Sequence, residues 1–211
     1  IATTVYPDAL KTEQLNKPLA TSSWFPPPVY SSGSDAEAVQ NFDATGANTY
    51  RYLKGIVAMP GGFMAGYLDN TVYFSEVYQA YAWPPEFAIP VQDDIRALGV
   101  FGNTLVVLTN GRVSFISGAA PDAMQKIDIE TVESCASARS VVPVSGGVIF
   151  ASHNGLCLAS QQGVQNLTPQ LFTRDEWLAI DPYSLICEEM DGVVYFTQDN
   201  GVKYMGALHV P

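Results

Sequence analysis

The hydrophobic positions of residues 95–118 fall into three short runs that turn residues separate. Residues 95–101 are largely apolar, residues 105–108 form a continuous apolar run, and residues 113–116 begin a third. Asn110-Gly111 between the last two runs is a strong hairpin signal, because both central positions of the corresponding two-residue turn need a positive φ. The pattern predicts three antiparallel strands, which are too short to be stable without neighbouring sheets.

The same pattern occurs again in residues 53–76, 139–160 and 184–206. The glycines of the first turn, spaced 40, 45 and 45 residues apart, are Gly62, Gly102, Gly147 and Gly192. The asparagines of the second turn, spaced 40, 44 and 46 residues apart, are Asn70, Asn110, Asn154 and Asn200. A period of about 40–50 residues with several strands per unit is typical of a β-propeller.

We therefore predict an all-β, β-propeller-like fold with about four repeats of three to four antiparallel strands. The repeats span about 51–92, 93–133, 134–182 and 183–211 of a propeller domain at 51–211. Four repeats either close a small ring or belong to a larger one, and we favour a larger ring completed by chain beyond this sequence. Alternation at 126–130 predicts an outer fourth strand in the second repeat.

Residues 1–50 interrupt the period and predict an extended N-terminal arm. The arm contains a candidate edge strand at 1–6 and a proline run, 26–28, that favours polyproline II geometry. Ser34 and Glu37 have the spacing of a capping box, which predicts a short helix at about 35–42. Thr173 and Glu176 have the same spacing and predict a second short helix that continues to about Ile180.

Charge and composition exclude several classes of function. The net charge is −11, with 10 Lys+Arg against 21 Asp+Glu, so the chain lacks the basic clusters that sequence-specific nucleic-acid binding and anionic membranes require. No apolar run approaches the length of a transmembrane helix, and no direct membrane insertion is expected. The three cysteines are odd in number and have no metal-ligand spacing, so we expect buried thiols, no metal and no cofactor.

Residues that could carry catalysis are few and separated along the sequence. The two histidines are His153, within a predicted turn, and His209, and Cys157 lies four residues after His153. Paired carboxylates occur at 93–94, 175–176 and 188–189, but adjacent residues on a strand point to opposite faces. We predict no catalytic residues and a protein that is not an enzyme.

Aromatic residues next to prolines form the candidate interaction surface. Aromatic side chains in a loop can anchor a protein partner or stack on sugar rings. The alternative is that they pack between adjacent blades. The residues of this surface are Trp24, Phe25, Tyr78, Tyr81, Trp83 and Phe87.

Many short motifs occur in one order along most of residues 18–182. They include LATSSWFPPP, LKGIVAMPGGFMAGYLDNTVYFSEVYQAYAWPPEF, LGVFGNTLVVLTNGRVSFISG, SCASARSVV, GGVIFASHNGLCL and LFTRDEW. In this order the motifs resemble a family of tailed-bacteriophage virion proteins, the tail hub or nozzle-type (tail tubular) proteins with a β-propeller-like body. The segment at 31–52 is longer than is usual in that family.

The resemblance implies a structural role in a phage tail. Such a protein assembles as a homo-oligomeric ring around the DNA exit channel, contacts other virion tail proteins, and supplies no catalytic residues. It is expected in the virion after assembly in the bacterial cytoplasm. The alternative function is a carbohydrate-binding or glycosidase-type β-propeller, with Tyr78, Tyr81 and Trp83 as the sugar platform.

Overall fold

The computed structural model describes residues 25, 27–30, 51–198 and 205–209. Trp24, the candidate edge strand at 1–6 and the predicted helix at 35–42 lie outside the described residues. The first elements described are β1 (Val29–Tyr30) and β2 (Arg51–Tyr52), which pair antiparallel.

The strands that follow form four antiparallel sheets, which we call blades 1 to 4. Blade 1 contains β3 (Lys54–Met59), β4 (Phe63–Leu68), β5 (Thr71–Phe74) and β6 (Ile89–Pro90). Blade 2 contains β7 (Ile95–Phe101), β8 (Thr104–Thr109), β9 (Val113–Ser117) and β10 (Gln125–Ile129). Blade 3 contains β11 (Val142–Val144), β12 (Gly147–Ser152), β13 (Gly155–Ser160) and β14 (Gly163–Asn166). Blade 4 contains β15 (Leu185–Met190), β16 (Val193–Gln198) and β17 (Met205–His209).

Strands within each blade are adjacent in the order of the sequence, and the blades stack face to face. The first strand of each blade contacts the first strand of the next, β3 with β7, β7 with β11, and β11 with β15. The blades therefore converge at their first strands. An all-β chain of sequential four-stranded meanders that converge in this way is a β-propeller, and the predicted fold class is confirmed.

Two local predictions from capping and alternation are also confirmed. Helix α1 (Arg174–Ala179) begins after Thr173, whose hydroxyl accepts a hydrogen bond from the Glu176 amide at 3.3 Å. The Glu176 carboxylate returns a hydrogen bond to the Thr173 amide at 2.8 Å. Strand β10 is the predicted outer strand of the second repeat, with exposed and half-buried positions.

The hairpin at Asn110-Gly111 forms, but the predicted turn type is wrong. Neither residue has a positive φ, and four residues, 109–112, separate the last paired positions of β8 and β9. The Thr109 hydroxyl accepts hydrogen bonds from the amides of Gly111 at 3.1 Å and Arg112 at 2.8 Å. A side chain therefore organises this turn, and the left-handed backbone of a two-residue turn is not required.

The core consists of three apolar clusters, each between two neighbouring blades. The first lies between blades 1 and 2, the second between blades 2 and 3, and the third between blades 3 and 4. Blade 2 contributes Leu105 and Val107 to the first cluster and Val106 and Leu108 to the second. Successive residues of a strand thus serve successive interfaces, as the pleat of a strand dictates.

Candidate interaction surface

The connector at 75–88, between β5 and β6, contains four of the six predicted interaction residues. Ser75 holds its start, because its hydroxyl accepts a hydrogen bond from the Met64 amide at 2.8 Å and donates to the Glu76 carbonyl at 3.1 Å. The Glu76 amide in turn donates to the Ala82 carbonyl at 2.8 Å. These bonds close the chain between residues 76 and 82 into a tight loop at the edge of blade 1.

Tyr78 is the most exposed aromatic residue of this connector, with 86% of its surface accessible. Its backbone has a φ of 57°, and its amide donates to the Gly62 carbonyl at 2.7 Å. A Cβ atom at Gly62 would lie 2.6 Å from a ring carbon of Tyr78, so the ring crosses this glycine closely. The backbone thus fixes the start of the side chain, and most of the ring remains open to solvent.

The other predicted residues divide between the surface and the core. Tyr81 and Phe25 are exposed, and the Tyr81 hydroxyl lies 3.3 Å from Gln79 Oε1. Trp83 is 3% exposed, and its indole Nε1 donates to the Ala80 carbonyl at 2.9 Å. Phe87 lies in a short 3-10 turn and packs against the cluster between blades 1 and 2.

The described part of the predicted surface therefore reduces to Phe25, Tyr78 and Tyr81. The Trp83 amide donates to the Phe25 carbonyl at 2.7 Å, which joins the N-terminal segment to this connector. Trp83 is a structural anchor because its ring is buried and its indole N–H is satisfied by the loop itself. Sequence reasoning placed its ring at the surface, because proline-flanked aromatics in loops give no sign of which ring is buried.

A polar cluster between blades 2 and 3 was not identified from the sequence as a unit. Glu133 accepts hydrogen bonds from the Ser152 hydroxyl and from Asn154 Nδ2, the latter at 3.2 Å. His153 Nδ1 lies 3.5 Å from the Ser134 hydroxyl. The cluster borders an open groove of about 960 Å³ that Asp93, Asp128 and Glu130 also line.

This cluster has the residue types of an acyl-transfer site without its geometry. The Ser152 hydroxyl is fully buried and donates to a carboxylate, so it does not point to a substrate. Burial raises the pKa of the Cys157 thiol, and the negative charge of Glu133 raises it further. Cys157 is therefore protonated at neutral pH and is a poor nucleophile. The contacts join the β12–β13 turn to the connector that precedes blade 3.

The paired carboxylates do not converge on a common cleft. Glu188 pairs with Tyr195 and Glu189 with Val194, so the two side chains lie on opposite faces of blade 4. Glu176 is occupied by the capping box of α1. Within the described ranges, no three His, Cys, Asp or Glu side chains are grouped so that they could bind a metal ion. In the described part of the chain no helix has the length and apolar character needed to cross a membrane.

Comparisons with known proteins concern the fold. No family model and no curated protein matches the sequence. Among solved structures, the chain is similar to the computationally designed Ika4 protein, with a TM-score of 0.52 and 10% identity over 76% of this chain and 92% of Ika4. The similarity to this designed propeller supports the β-propeller fold and, at 10% identity, nothing beyond the fold.

Two further solved structures match with lower scores. The designed Ika8 protein gives a TM-score of 0.49 and 11% identity over 78% of this chain and 47% of Ika8. Hsv2 from Kluyvelomyces marxianus gives a TM-score of 0.35 and 10% identity over 74% of this chain and 50% of Hsv2.

Proposed function

We propose that this chain is a non-enzymatic structural component of a bacteriophage tail, of the hub or nozzle type. In this role it assembles with itself as a ring around the DNA exit channel and contacts other tail proteins. The ordered motifs over residues 18–182, which resemble that family, support the proposal. Its place is the virion, after assembly in the bacterial cytoplasm.

The observation that carries the proposal is where the large exposed apolar side chains lie. Several of them occupy connectors between strands, at Tyr78, Val132, Leu171 and Tyr183. A rigid scaffold that presents apolar side chains from its loops is typical of a protein that binds other proteins. The blades supply rigidity in this interpretation, and the connectors supply contacts.

The charge of the chain suits a component that lines a DNA path. A net charge of −11 repels the phosphate backbone, so DNA can pass without being held. The role requires neither sequence-specific nucleic-acid binding nor insertion into a membrane. It also requires no cofactor.

Immunogold electron microscopy of the parent particle tests this role. An antibody raised against residues 51–211 is applied to purified virions and to particles from which the tail has been removed. We expect gold at the tail and loss of the label from tailless particles. Label on the capsid, or no label on intact or partly disassembled particles, would contradict the proposal.

A second experiment tests whether the 75–88 connector makes the contacts. We expect Tyr78→Arg to reduce the amount of this protein incorporated into particles by at least about tenfold, since a charge in an apolar contact costs more than 1.4 kcal/mol. Ile127→Arg is the control, because Ile127 is also exposed but lies on the outer strand of blade 2. Equal incorporation of both variants would exclude this connector as a contact surface.

Carbohydrate binding is the second candidate function. Tyr78 and Tyr81 favour it, because two tyrosines are exposed within one short loop and could stack on sugar rings. Titration with host-surface oligosaccharides, followed by NMR, would show shifts at the 75–88 connector that Tyr78→Ala and Tyr81→Ala remove. A glycosidase would further require two carboxylates that face each other across a cleft.

A further inference from the structure

The second strand of each blade shows which interface each of its residues serves. In blades 2 and 3, the second and fourth residues of this strand face the preceding blade, and the third and fifth face the following blade. In β12, for example, Val148 and Phe150 face blade 2, whereas Ile149 and Ala151 face blade 4. One interface design is thus used three times along the chain.

The two ends of the stack carry the two separate halves of this interface. In β16 of blade 4, Val194 and Phe196 pack against blade 3, and the third residue, Tyr195, points to the opposite side. Tyr195 is 37% exposed, and Met205 of β17, which shares this face through Thr197, is 75% exposed. We call this surface the trailing face.

Blade 1 presents the complementary surface. In β4, Phe63 and Ala65 pack against blade 2, and the second residue, Met64, points away from it. Tyr73 of β5 pairs with Gly66 and lies on the same outer side, where Met64 and Tyr73 are half-buried. We call this surface the leading face.

The described residues do not join the leading and trailing faces within one chain. Each of the three apolar clusters in the described part of the chain lies between consecutive blades, and none of them combines residues of blades 1 and 4. The exposure of Tyr195 and Met205 agrees with this arrangement. The stack of blades is therefore open.

We propose that a second copy of this chain closes the propeller. The trailing face of each copy packs on the leading face of the other, so two copies related by a two-fold axis form one ring of eight blades. The occupant follows from continuity, because each new contact joins the same two sides of a blade as the three contacts inside the chain. A two-fold pair satisfies both open faces of both copies, whereas head-to-tail addition without closure always leaves two faces exposed.

This inference depends on the blade arrangement and would stand if the role in a phage tail were wrong. Its first test is the mass of the full 211-residue chain by sedimentation equilibrium. We expect a single species at twice the chain mass of 22.8 kDa. A monomer at micromolar concentration, or a ladder of larger species, would overturn the proposal.

Arginine substitutions on each face test the geometry of the pair. Tyr195→Arg on the trailing face and Met64→Arg on the leading face should each increase the dissociation constant of the dimer at least about 100-fold, since a desolvated unpaired charge is costly. Tyr73→Arg is a second leading-face variant, and circular dichroism checks that all three chains are folded. Val132→Arg, at an exposed position in the connector between blades 2 and 3, is the control and should remain dimeric.

A mixing experiment distinguishes this pair from a dimer in which one face contacts its own copy. When the Tyr195→Arg and Met64→Arg chains are mixed, one of the two contacts contains both substitutions and the other contains neither. We expect the mixture to form a heterodimer although each variant alone is monomeric. No recovery of dimer on mixing, or a dimer that resists both leading-face substitutions, would overturn the proposal.

Discussion

The second strands of blades 3 and 4 have similar apolar character but different surroundings. All six residues of Gly147–Ser152 in blade 3 are buried, whereas buried positions alternate with more accessible ones along Val193–Gln198 in blade 4. Blade 3 has a neighbouring blade on both faces, and blade 4 has one only on the side of Val194 and Phe196 within the described residues. The difference indicates that a blade is stabilised by the number of its faces that are covered.

The largest expected effect contrasts one buried aromatic residue with one exposed residue. Phe150→Ala should lower the free energy of unfolding by about 3–5 kcal/mol, because the fully buried ring fills the space between blades 2 and 3. Tyr195→Ala on the open face of blade 4 should cost no more than about 1 kcal/mol. Both are measured by urea unfolding on the Met64→Arg background, so that a second copy does not contribute. Equal losses would contradict the comparison.

Trp177 lies at the contact between blades 3 and 4, and its substitution tests how blade 4 is held. Its Nε1 donates to the Ser152 carbonyl at 2.8 Å, so Trp177→Phe leaves a buried acceptor without its partner. We expect a loss of about 1–3 kcal/mol in the free energy of unfolding. Leu178→Ala, at an exposed position on the same helix, should stay within about 0.5 kcal/mol of the unmodified chain.

Thiol labelling shows whether that loss is local to blade 4. Burial raises the pKa of the Cys187 thiol to about 12, so it reacts slowly at neutral pH while blade 4 remains packed. In Trp177→Phe, labelling of Cys187 should accelerate more than labelling of Cys157, which lies between blades 2 and 3. Identical acceleration at both thiols would indicate that the chain opens only as a whole.

A single hydrogen bond at the start of blade 4 should have a smaller effect. The buried Ser137 hydroxyl donates to the Leu185 carbonyl at 2.7 Å. Ser137→Ala should therefore lower the free energy of unfolding by about 1–2 kcal/mol, measured by urea unfolding. Ser145→Ala, in the exposed turn between β11 and β12, should change it by less than about 0.5 kcal/mol. A Ser137→Ala loss as small as the control's would show that this bond does not hold blade 4.

The smallest expected effect lies at the outer edge of blade 2. The hydrogen bond from Ser114, at 2.7 Å, and then Lys126 lower the pKa of Asp128 below its ordinary value. Since the folded pKa is the lower one, this contact stabilises the chain above the unfolded pKa of about 3.9 and is lost as pH falls through the folded value. Carboxyl NMR titration should show a larger upward shift of the Asp128 pKa in Ser114→Ala than in Lys126→Ala. A larger shift in Lys126→Ala would assign the effect to the ion pair.

Much of the fold could be predicted from the sequence, because the signals are local. Turn residues at a regular spacing mark the hairpins, and Thr173 with Glu176 marks the start of α1. Continuous apolar runs at 105–108 and 148–150 reflect strands that are buried on both faces. In Tyr195 and Thr197 of β16, the same reasoning could have identified a face with less cover.

The remaining features depend on contacts between residues far apart in sequence. Strand β14 (Gly163–Asn166) carries a weak apolar signal and was not predicted, since its pairing with β13 defines it. The burial of Trp83 depends on how the 75–88 connector folds back on blade 1. The role of Glu133 depends on hydrogen bonds to residues 19 and 21 positions away, which no local pattern shows.

The relation between covered faces and stability is tested most directly by hydrogen exchange in the Tyr195→Arg chain. We predict that the amides of Val193–Gln198 exchange faster than those of Thr104–Thr109, because blade 4 then has one covered face and blade 2 has two. In the unmodified chain, protection of Val193–Gln198 should increase with protein concentration as the second copy binds. Equal exchange of the two strands in Tyr195→Arg, with no dependence on concentration in the unmodified chain, would contradict the account.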